Sequence, residues 1–270
     1  MSEAAIGTTL PPGPDRCQAL DEVSEAYDRY RPGYPADLAD DVEFLAGLPP
    51  GGRILEIGCG TGQLTRSFSR RGYSIVALEP GPRLAERTRQ NFAASGDVQV
   101  IGSTLEAWEP GAERFDLVMS GQSFHFLEPA GRFGRVADVL NDTGALAVVW
   151  NYRMPGDTVA YHAVHAAIKR HAPGFGLDQR HLDTLFEDEV EASGHFGSVY
   201  MRKYRWTHAY NTEGFAGLLI SHGTLSALPE VQRAAVFQAA RDALDGAGGQ
   251  LTIEYLTRLY VARKRPRAAA

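Results

Sequence analysis

Cysteine is scarce in this 270-residue sequence, where Cys17 and Cys59 are the only two. Two cysteines, one near the amino terminus and one in a glycine-rich turn, are a poor disulfide framework and favour a reducing compartment. No run approaches the ~20 apolar residues of a membrane-spanning helix, and residues 1–17 lack the apolar core of a signal peptide. The sequence therefore predicts a cytoplasmic protein with no membrane partner.

An excess of positive charge is also absent, since 27 Lys and Arg residues face 33 Asp and Glu residues, giving a formal charge of −6. This balance provides no general attraction to nucleic acids, so no nucleic-acid partner is expected. The basic tail "RKRPRAAA" is short and is interpreted as a solvated end. Hydrophobic residues make up 44% of the chain, enough to form the core of a large domain.

What the sequence does contain is a regular alternation of short apolar runs and helical stretches. The runs are "RILEIG", "SIVALE", "VQVI", "FDLVMS" and "GALAVVW", separated by segments such as "PRLAERTRQNFAAS". Apolar strands joined through helices predict a parallel sheet with helices on both faces. The later segments "SVYMRKYRWTHAY" and "LTIEYLTRLYVARKR" alternate polar and apolar residues instead, as antiparallel strands do.

Composition also predicts how the chain is divided. Residues 1–20 are rich in Pro, Gly, Ala and Thr, which predicts a disordered tail. Residues 21–270 are predicted to form a single α/β domain. Within it we expect a cofactor-binding half at 38–150, mostly helical additions at 151–250 and the last strand at 251–265.

The segment "LEIGCGTG" places Gly58, Gly60 and Gly62 directly after the first apolar run, with Glu56 inside that run. Ligands of open α/β sheets bind at the carboxyl ends of the strands. Glu79 ends the second run, where an acid can accept hydrogen bonds from both hydroxyls of a ribose. These features alone fit NAD almost as well as S-adenosylmethionine.

Two details separate the two ligands. The spacing G-x-G-x-G differs from the G-x-G-x-x-G of dinucleotide-binding turns. At ~4 Å and an effective dielectric constant of ~20, each contact between the Glu56 carboxylate and a pyrophosphate charge would cost about 4 kcal/mol. The ammonium and sulfonium groups of S-adenosylmethionine would instead be attracted. The sequence therefore predicts S-adenosylmethionine as the cofactor.

The motifs "LEIGCGTG", "ALEP", "VIGSTLEAW", "FDLVMSGQSFHF" and "GALAVVWN" resemble, in order, those of the class I S-adenosylmethionine-dependent methyltransferases. "YDRYRPGYP" and "YLTRLYVARKR" are similar to one bacterial small-molecule branch, the type 11/25-like methyltransferases. The resemblance runs from about Asp21 to Arg265. It implies a Rossmann-like class I fold, with a seven-stranded, mostly parallel sheet, an antiparallel last strand and helical additions over the acceptor site.

The function implied by the resemblance is methyl transfer from S-adenosylmethionine to a small-molecule acceptor. Two alternatives stay open, a nucleic-acid or protein methyltransferase and an NAD-dependent oxidoreductase. The fourth run ends in "SGQSFHF" rather than the Asn-Pro-Pro-Tyr type of sequence used on base amino groups, which favours the small-molecule acceptor.

The resemblance also implies a set of cofactor-binding residues. Those implied around the methionine part are Glu56, Gly58, Cys59, Gly60, Gly62 and Gln63; those around ribose and adenine are Glu79, Pro80, Ser103, Thr104 and Leu105; those near the sulfonium are Ser120, Gly121 and Gln122. Tyr27, Arg31 and Tyr34 belong to a segment that closes over the cofactor in such enzymes, with Arg31 as a partner for the cofactor carboxylate. The same segment equally fits a rigid proline–tyrosine connector packed on the sheet.

Candidates for the chemistry are few, because methyl transfer mainly requires that donor and acceptor be aligned. An acidic acceptor group also needs a base, and His125 follows the fourth strand at the edge where the methyl group is expected. His125 either takes that proton or only orients Phe124 and Phe126. Tyr27 and His222 are further catalytic candidates. The triplet Ser-His-Gly around His222 departs from the Thr-Tyr-Ser of the proteins it resembles, which marks either acceptor specificity or drift in a loop.

Two further groups of side chains have open interpretations. His162 and His165 share a predicted helix face, but no nearby carboxylate completes a metal-ligand set, so no metal is expected. Tyr204, Trp206 and Tyr210 either line a pocket for an aromatic acceptor or belong to the core. Cys59 is interpreted as a small residue filling a tight turn rather than as a nucleophile.

Overall fold

A computed structural model describes residues 14–177, 186–226 and 228–266 of the chain. The strands are β1 (Arg53–Ile57), β2 (Ser74–Leu78), β3 (Val98–Ile101), β4 (Phe115–Gly121), β5 (Leu140–Arg153), β6 (Phe196–Asn211) and β7 (Gln250–Lys264). The helices are α1 (Pro14–Glu22), α2 (Ser24–Tyr30), α3 (Leu38–Ala46), α4 (Thr65–Phe68), α5 (Pro82–Phe92), α6 (Arg132–Val139), α7 (Val159–His171), α8 (Phe186–Ser193), α9 (Thr212–Ile220), α10 (Gly223–Ser226) and α11 (Glu230–Gly246). A short 3-10 turn covers Phe124–Phe126.

The chain divides into two compact units. The sheet unit comprises Gly33–Asn151, His181–Tyr204 and Thr257–Ala270. The helical unit comprises Met1–Pro32, Tyr152–Arg180 and Arg205–Leu256. The predicted subdivision at residues 150 and 250 lies close to two of these boundaries, and the single-domain interpretation stays a prediction.

The sheet has seven strands in the order β3-β2-β1-β4-β5-β7-β6. Strands β1 to β5 pair in parallel, and the last strands are antiparallel. This confirms the predicted seven-stranded, mostly parallel Rossmann-like sheet. Because β1 pairs with β2 on one side and with β4 on the other, the strand order reverses beside β1. The carboxyl end of β1 is therefore the position at which such sheets bind ligands.

Apolar strand residues form the core of the sheet unit, as their uninterrupted hydrophobic runs predict. Helix α3 packs on this core through Leu38 and Val42, both almost wholly buried. Tyr204 also packs against this core, and its hydroxyl donates a hydrogen bond to Asp41 Oδ2 at 2.5 Å. Tyr204 therefore takes the core alternative of the two that its sequence left open.

The helical unit has a separate core, to which α7, α9 and α11 contribute. Helices α2 and α9 approach closely, since a Cβ added at Gly217 would lie 2.2 Å from Tyr30 Cδ2. Tyr210 is 4% exposed and its hydroxyl lies 2.9 Å from that of Tyr255, while Trp206 stacks on the Tyr255 ring at 4.8 Å. Tyr210 is therefore a core residue, and Trp206 packs against that core.

The prediction of disorder over residues 1–20 is wrong for its last part. Helix α1 begins at Pro14, which suits the first turn of a helix because its fixed φ matches helical backbone. Residues 1–13 of the predicted tail and the last four residues of the basic end "RKRPRAAA" lie outside the described residues. In the described part of the chain, none of the helices has the length and apolar character needed to cross a bilayer.

Candidate active site: the acid-lined glycine turn

The loop after β1 folds back on the neighbouring strand through its own backbone. Four of its N–H groups donate within the sheet unit: those of Gly58 and Cys59 to Leu78 O at 2.8 and 3.1 Å, that of Gly60 to Glu79 Oε2 at 2.8 Å, and that of Gly62 to Cys59 O at 2.9 Å. A phosphate-binding loop instead directs its N–H groups at the ligand. With these four donors engaged, the turn is not built as a pyrophosphate cradle.

Helix α5 fixes the carbonyl side of the same turn. Thr88 Oγ1 donates to Gly60 O at 2.7 Å, and Asn91 Nδ2 donates to Thr61 O at 2.9 Å. Sequence reasoning missed both residues. Their only signal was two polar side chains, three positions apart, on the face of α5 that also carries buried residues.

Gly62 is a position in this turn that tolerates a side chain poorly. Its φ is +90°, and an added Cβ would lie 2.3 Å from Phe92 Cε2. We expect Gly62→Ala to lower the free energy of unfolding by about 3 kcal/mol, from left-handed strain plus overpacking. Gly96→Ala is the matched control, because Gly96 has a φ of +70° but nothing within 4 Å of an added Cβ. In urea unfolding, the control should lose about 1 kcal/mol of the free energy of unfolding, because it carries the backbone strain alone. Equal losses for the two variants would contradict the close contact between an added Cβ and Phe92.

Glu79 stands between the turn and the start of α5. Its Oε2 accepts the Gly60 N–H, and its Oε1 accepts the Gly81 N–H at 2.9 Å. The side chain is 6% exposed, and the Glu79 N–H donates to Ile101 O at the end of β3. The carboxyl group is thus held rigidly at the carboxyl edge of the sheet, where the sequence places a ribose-binding acid.

Glu56 is buried at the end of β1, with 1% of its surface exposed. Thr65 Oγ1 donates to Glu56 Oε2 at 2.6 Å. Burial raises the pKa of Glu56 from 4.5 to about 8, and the charge of Glu79 acts in the same direction, against the hydrogen bond from Thr65. At neutral pH the Glu56 carboxyl group is therefore mostly protonated in the free protein.

A protonated Glu56 does not repel a pyrophosphate, as a carboxylate at this position was expected to do. The expectation of a standing negative charge at Glu56 is wrong at pH 7, because burial disfavours the carboxylate. A cation bound beside it would lower the pKa again and bring the charge back. The engaged N–H groups of the turn therefore disfavour a pyrophosphate more than repulsion by Glu56 does.

The carboxyl end of β4 is tied to that of β1 by two serines. Ser120 Oγ donates to Ile57 O at 3.1 Å, and Ser123 Oγ donates to the same carbonyl at 2.6 Å. Ser120 has no exposed surface, which differs from the expectation that it faces the ligand. Its part is to hold the strand ends together with Ser123, a residue that the sequence analysis did not single out.

Gln122 adopts a backbone conformation that is unusual for its residue type. Its φ is +60°, and its Nε2 donates to Asn151 O at 3.0 Å. Such strained non-glycine positions cluster at functional sites. Beside it, a Cβ on Gly121 would lie 2.5 Å from Tyr34 Oη, so the Tyr34 hydroxyl covers the end of β4. Of the predicted residues, Tyr34, Gly121 and Gln122 are thus brought together.

The remaining predicted cofactor residues of the sheet unit lie in the loops after β1, β2 and β3. Pro80 is exposed, whereas Leu105 is 4% exposed. Ser103 is partly buried, and Thr104 is exposed and accepts the Ala107 N–H at 3.2 Å. Gln63 Nε2 donates to Thr61 Oγ1 at 2.7 Å.

Cys59 is buried, and its thiol lies 3.9 Å from Thr88 Oγ1. Burial raises the pKa of the Cys59 thiol, and the charges of Glu56 and Glu79 act in the same direction. A neutral, enclosed thiol is a poor nucleophile, which agrees with the interpretation of Cys59 as a filling residue.

His125 lies in the 3-10 turn that follows β4. Its side chain is exposed, and its ring packs against that of Phe126 with centroids 4.2 Å apart. Phe124, in contrast, is wholly buried and packs against Phe133. The buried Phe124 anchors the turn and presents His125 at the surface of the sheet unit.

The other predicted residues belong to the helical unit and contact one another there. The Arg31 guanidinium lies over the Tyr27 ring, 5.0 Å from its centroid, and donates to Ser221 O at 3.0 Å. His222 is 7% exposed and lies 2.6 Å from Arg153 Nη1 through its Nε2. Arg153, at the end of β5, was missed, although a charge three residues after the end of the apolar run "ALAVVW" was a usable signal.

Two histidines of α7, His162 and His165, contact the ring of Tyr161. Tyr161 stacks on His165 with ring centroids 5.8 Å apart and lies edge-on to His162. Within residues 14–177, 186–226 and 228–266, no group of three His, Cys, Asp or Glu side chains is placed to hold a metal ion.

Known proteins that resemble this chain in sequence or in fold include several methyltransferases. The profile of a family described as "Methyltransferase domain" matches residues 54–144, which include the glycine turn and Glu79. An uncharacterized methyltransferase of Mycobacterium tuberculosis is 35% identical over 129 residues, 47% of this chain and 50% of that protein. The chain thus spans about half the length of that relative.

Two further relatives align over longer stretches. An uncharacterized methyltransferase-like protein of Schizosaccharomyces pombe is 30% identical over 214 residues, 77% of this chain and 78% of that protein. Malonyl-(acyl-carrier protein) O-methyltransferase of a Paenibacillus species is 30% identical over 163 residues, 56% of this chain and 57% of that protein.

Solved structures share the fold at low sequence identity. The cyclopropane synthase MmaA2 of Mycobacterium tuberculosis superposes with a TM-score of 0.55 at 17% identity, covering 94% of this chain and all of that one. A second structure is that of a phosphoethanolamine N-methyltransferase of Haemonchus contortus in complex with phosphomonomethylethanolamine and S-adenosylhomocysteine. It superposes with a TM-score of 0.56 at 14% identity, covering 97% of this chain and 61% of that one.

Proposed function

The chain belongs to the methyltransferase-domain family, and from that premise we propose that it is an S-adenosylmethionine-dependent methyltransferase acting on a small molecule. One observation supports the cofactor most strongly. The glycine turn directs its N–H groups at Leu78, Glu79 and Cys59, and two buried acids, Glu56 and Glu79, adjoin it. Acids beside a turn whose Gly58, Cys59, Gly60 and Gly62 N–H groups are engaged within the protein suit a cationic ligand rather than a phosphate.

The residues present fit S-adenosylmethionine by their chemistry. Glu79 supplies two fixed oxygens suited to the paired hydroxyls of a ribose. Glu56 becomes ionised when a cation is bound beside it and would then balance the ammonium of the methionine part. Gly121 lets the Tyr34 hydroxyl lie directly against the end of β4, because any side chain at this position would collide with it.

When bound, S-adenosylmethionine supplies a methyl group on a positively charged sulfur. The chain's own part is to position the acceptor in line with that bond and to exclude water. The carboxyl end of β4, held by Ser120, Ser123 and Gln122, provides a rigid edge for this purpose. We place the general base, where the acceptor needs one, at His125 on the turn that follows.

His125→Ala should separate binding from turnover. We expect the affinity for S-adenosylhomocysteine to stay within about twofold, because His125 is exposed and outside the glycine turn. Turnover on an acceptor that must lose a proton should fall by roughly 100-fold, the typical contribution of a general base. Phe126→Leu is the control for loss of ring packing. Normal turnover of His125→Ala would assign the residue a supporting role only.

Transfer of a radiolabelled methyl group tests the proposed function as a whole. The intact protein is incubated with the labelled cofactor and with matched sets of carboxylic acids, phenols, indoles and amines, and products are identified by mass spectrometry. With parallel incubations that contain nucleic acid or bulk protein as the acceptor, the proposal predicts label in at least one small-molecule class and none in either macromolecule. Label in nucleic acid or protein alone would contradict it.

A further inference from the structure

Asn151 is a buried polar residue near the carboxyl end of β5 to which the proposed chemistry assigns no part. It is 6% exposed, and its side chain makes two hydrogen bonds with distant segments of the sheet unit. Thr257 Oγ1, in β7, donates to Asn151 Oδ1 at 2.6 Å, and Asn151 Nδ2 donates to Gly33 O at 3.0 Å. Both ends of the Asn151 amide are therefore engaged.

The orientation of the Asn151 amide follows from these partners. A carbonyl oxygen only accepts hydrogen bonds, so the end of the amide that faces Gly33 O must be the nitrogen. The amide oxygen then faces the Thr257 hydroxyl, which donates to it. Asn151 thus ties β5 and β7 to a segment that lies 118 positions earlier in the sequence.

The segment held in this way, Gly33–Tyr34, borders the proposed cofactor site. Tyr34 directly follows Gly33 and packs against the core of the sheet unit. Its hydroxyl lies against the carboxyl end of β4, where a Cβ on Gly121 would be only 2.5 Å from it. A displacement of Gly33 would therefore move the residue that covers the end of β4.

Gln122, on the other side of Gly121, is held by the same end of β5. Its N–H donates to Val149 O at 2.9 Å, and its Nε2 donates to the backbone oxygen of Asn151 at 3.0 Å. Its φ of +60° is unfavourable for a residue with a side chain. Such a conformation persists only where the surroundings fix it, and these two hydrogen bonds do so.

We infer that Asn151 is a positioning residue of the proposed cofactor site, whose side chain holds the Gly33–Tyr34 segment, and whose backbone holds Gln122, at the carboxyl end of β4. The inference rests on the proposed function, because it gives these segments a ligand. A residue of this kind raises affinity without touching the ligand, since a site that is formed only part of the time binds more weakly by that fraction.

Asn151→Ala tests the hold on Gly33 through binding. If the Gly33–Tyr34 segment is then in place about a tenth of the time, S-adenosylhomocysteine should bind about 10-fold more weakly in titration calorimetry. Asn141→Ala is the matched control, because Asn141 lies at the amino end of the same strand and donates to Asp116 Oδ1 at 2.7 Å. It should change the affinity by less than about twofold, and equal losses in the two variants would overturn the inference.

Asn151→Asp separates positioning from a general loss of stability. The new group has the same shape, but its carboxylate repels Gly33 O, whereas its protonated form can donate to Gly33 O as the amide does. Burial favours the protonated form, so the loss of affinity relative to the parent should be about 10-fold near pH 8 and should shrink to about twofold near pH 6. Taking the ratio of the two proteins at each pH removes the dependence that Glu56 gives to both.

Asn141→Asp is the control for this pH dependence. It places a carboxyl group beside Asp116, so its stability should also improve as pH falls, but its affinity should stay within about twofold of the parent at both pH values. A loss in Asn151→Asp that does not change with pH, or the same recovery in Asn141→Asp, would overturn the inference. Failure of both Asn151 variants to fold would also count against a positioning role.

Hydrogen exchange of the free protein tests the same hold without a ligand. In Asn151→Ala the peptide of residues 33–38 should exchange faster than in the parent, whereas the Gln122 N–H should keep its protection, because the backbone oxygen of Asn151 is retained. Unchanged exchange in residues 33–38 would overturn the inference. Failure of the parent to bind S-adenosylhomocysteine would instead contradict the proposed function, and faster exchange would then still sustain the hold on Gly33. The two ideas therefore fail separately.

Discussion

Glu79→Ala should weaken the binding of S-adenosylhomocysteine by on the order of 100-fold. The two Glu79 oxygens are fixed by the N–H groups of Gly60 and Gly81, so they are already oriented for a ribose. Two charge-assisted hydrogen bonds to hydroxyls, at about 1.5 kcal/mol each, account for a loss of that size. Titration calorimetry on the variant, well below its Tm, measures it.

Controls separate this loss from a change in stability. The alanine also leaves two N–H groups without an acceptor, so a lower Tm is expected and is no measure of affinity. Glu86→Ala removes an exposed acid from α5 and should change the affinity by less than about twofold. An unchanged affinity of Glu79→Ala would remove the ribose assignment.

Glu56→Gln should change how both stability and cofactor binding respond to pH. The folded protein holds a proton on Glu56 between about pH 4.5 and 8, where the unfolded chain has released it. Stability therefore falls as pH rises through this window, and the fall is complete above the folded pKa. The amide removes the buried acid, so at pH 8–9 the variant should be more stable than the parent by a few kcal/mol.

Binding should respond in the opposite sense. A cationic ligand requires ionised Glu56, so the affinity of the parent protein for S-adenosylmethionine should rise by up to about 10-fold per pH unit toward pH 8. Glu56→Gln should bind weakly and without this dependence. Thr65→Val is the matched variant. It loses the hydroxyl that donates to Glu56, so the pKa of Glu56, and with it the midpoint of the pH-dependent rise in affinity, should move to higher pH. Identical pH profiles in all three proteins would refute the role given to Glu56.

Much of the fold follows from local pattern. The apolar runs of β1, β2 and β4 predict strands buried on both faces, and all three are interior strands of the sheet. The start of α5 at Pro82 was also predictable, because proline suits a first helical turn. Helix α1 was missed since Pro, Gly and Ala dominate the composition of the segment before residue 20.

Burial explains why part of the site could not be predicted. Glu56 was identified by position, but its protonation depends on desolvation and on Thr65, neither of which a strand pattern reveals. The hydrogen bond from Asn151 to Gly33 joins residues 118 positions apart in sequence, so only the tertiary structure brings them together. Ser123 and Thr88 donate hydrogen bonds to backbone carbonyls. Any serine or threonine can do this, so neither residue belongs to a recognisable sequence motif.

The most direct measurement is calorimetric titration of the intact protein with S-adenosylmethionine and with NAD at pH 7, each in phosphate and in Tris. These buffers differ in ionisation enthalpy, so the difference in observed heat reports protons released on binding. With a pKa of about 8 for Glu56, we expect S-adenosylmethionine to bind with release of about one proton and NAD not to bind. Binding of NAD, or binding of S-adenosylmethionine without proton release, would contradict an acid-lined turn built for a cation.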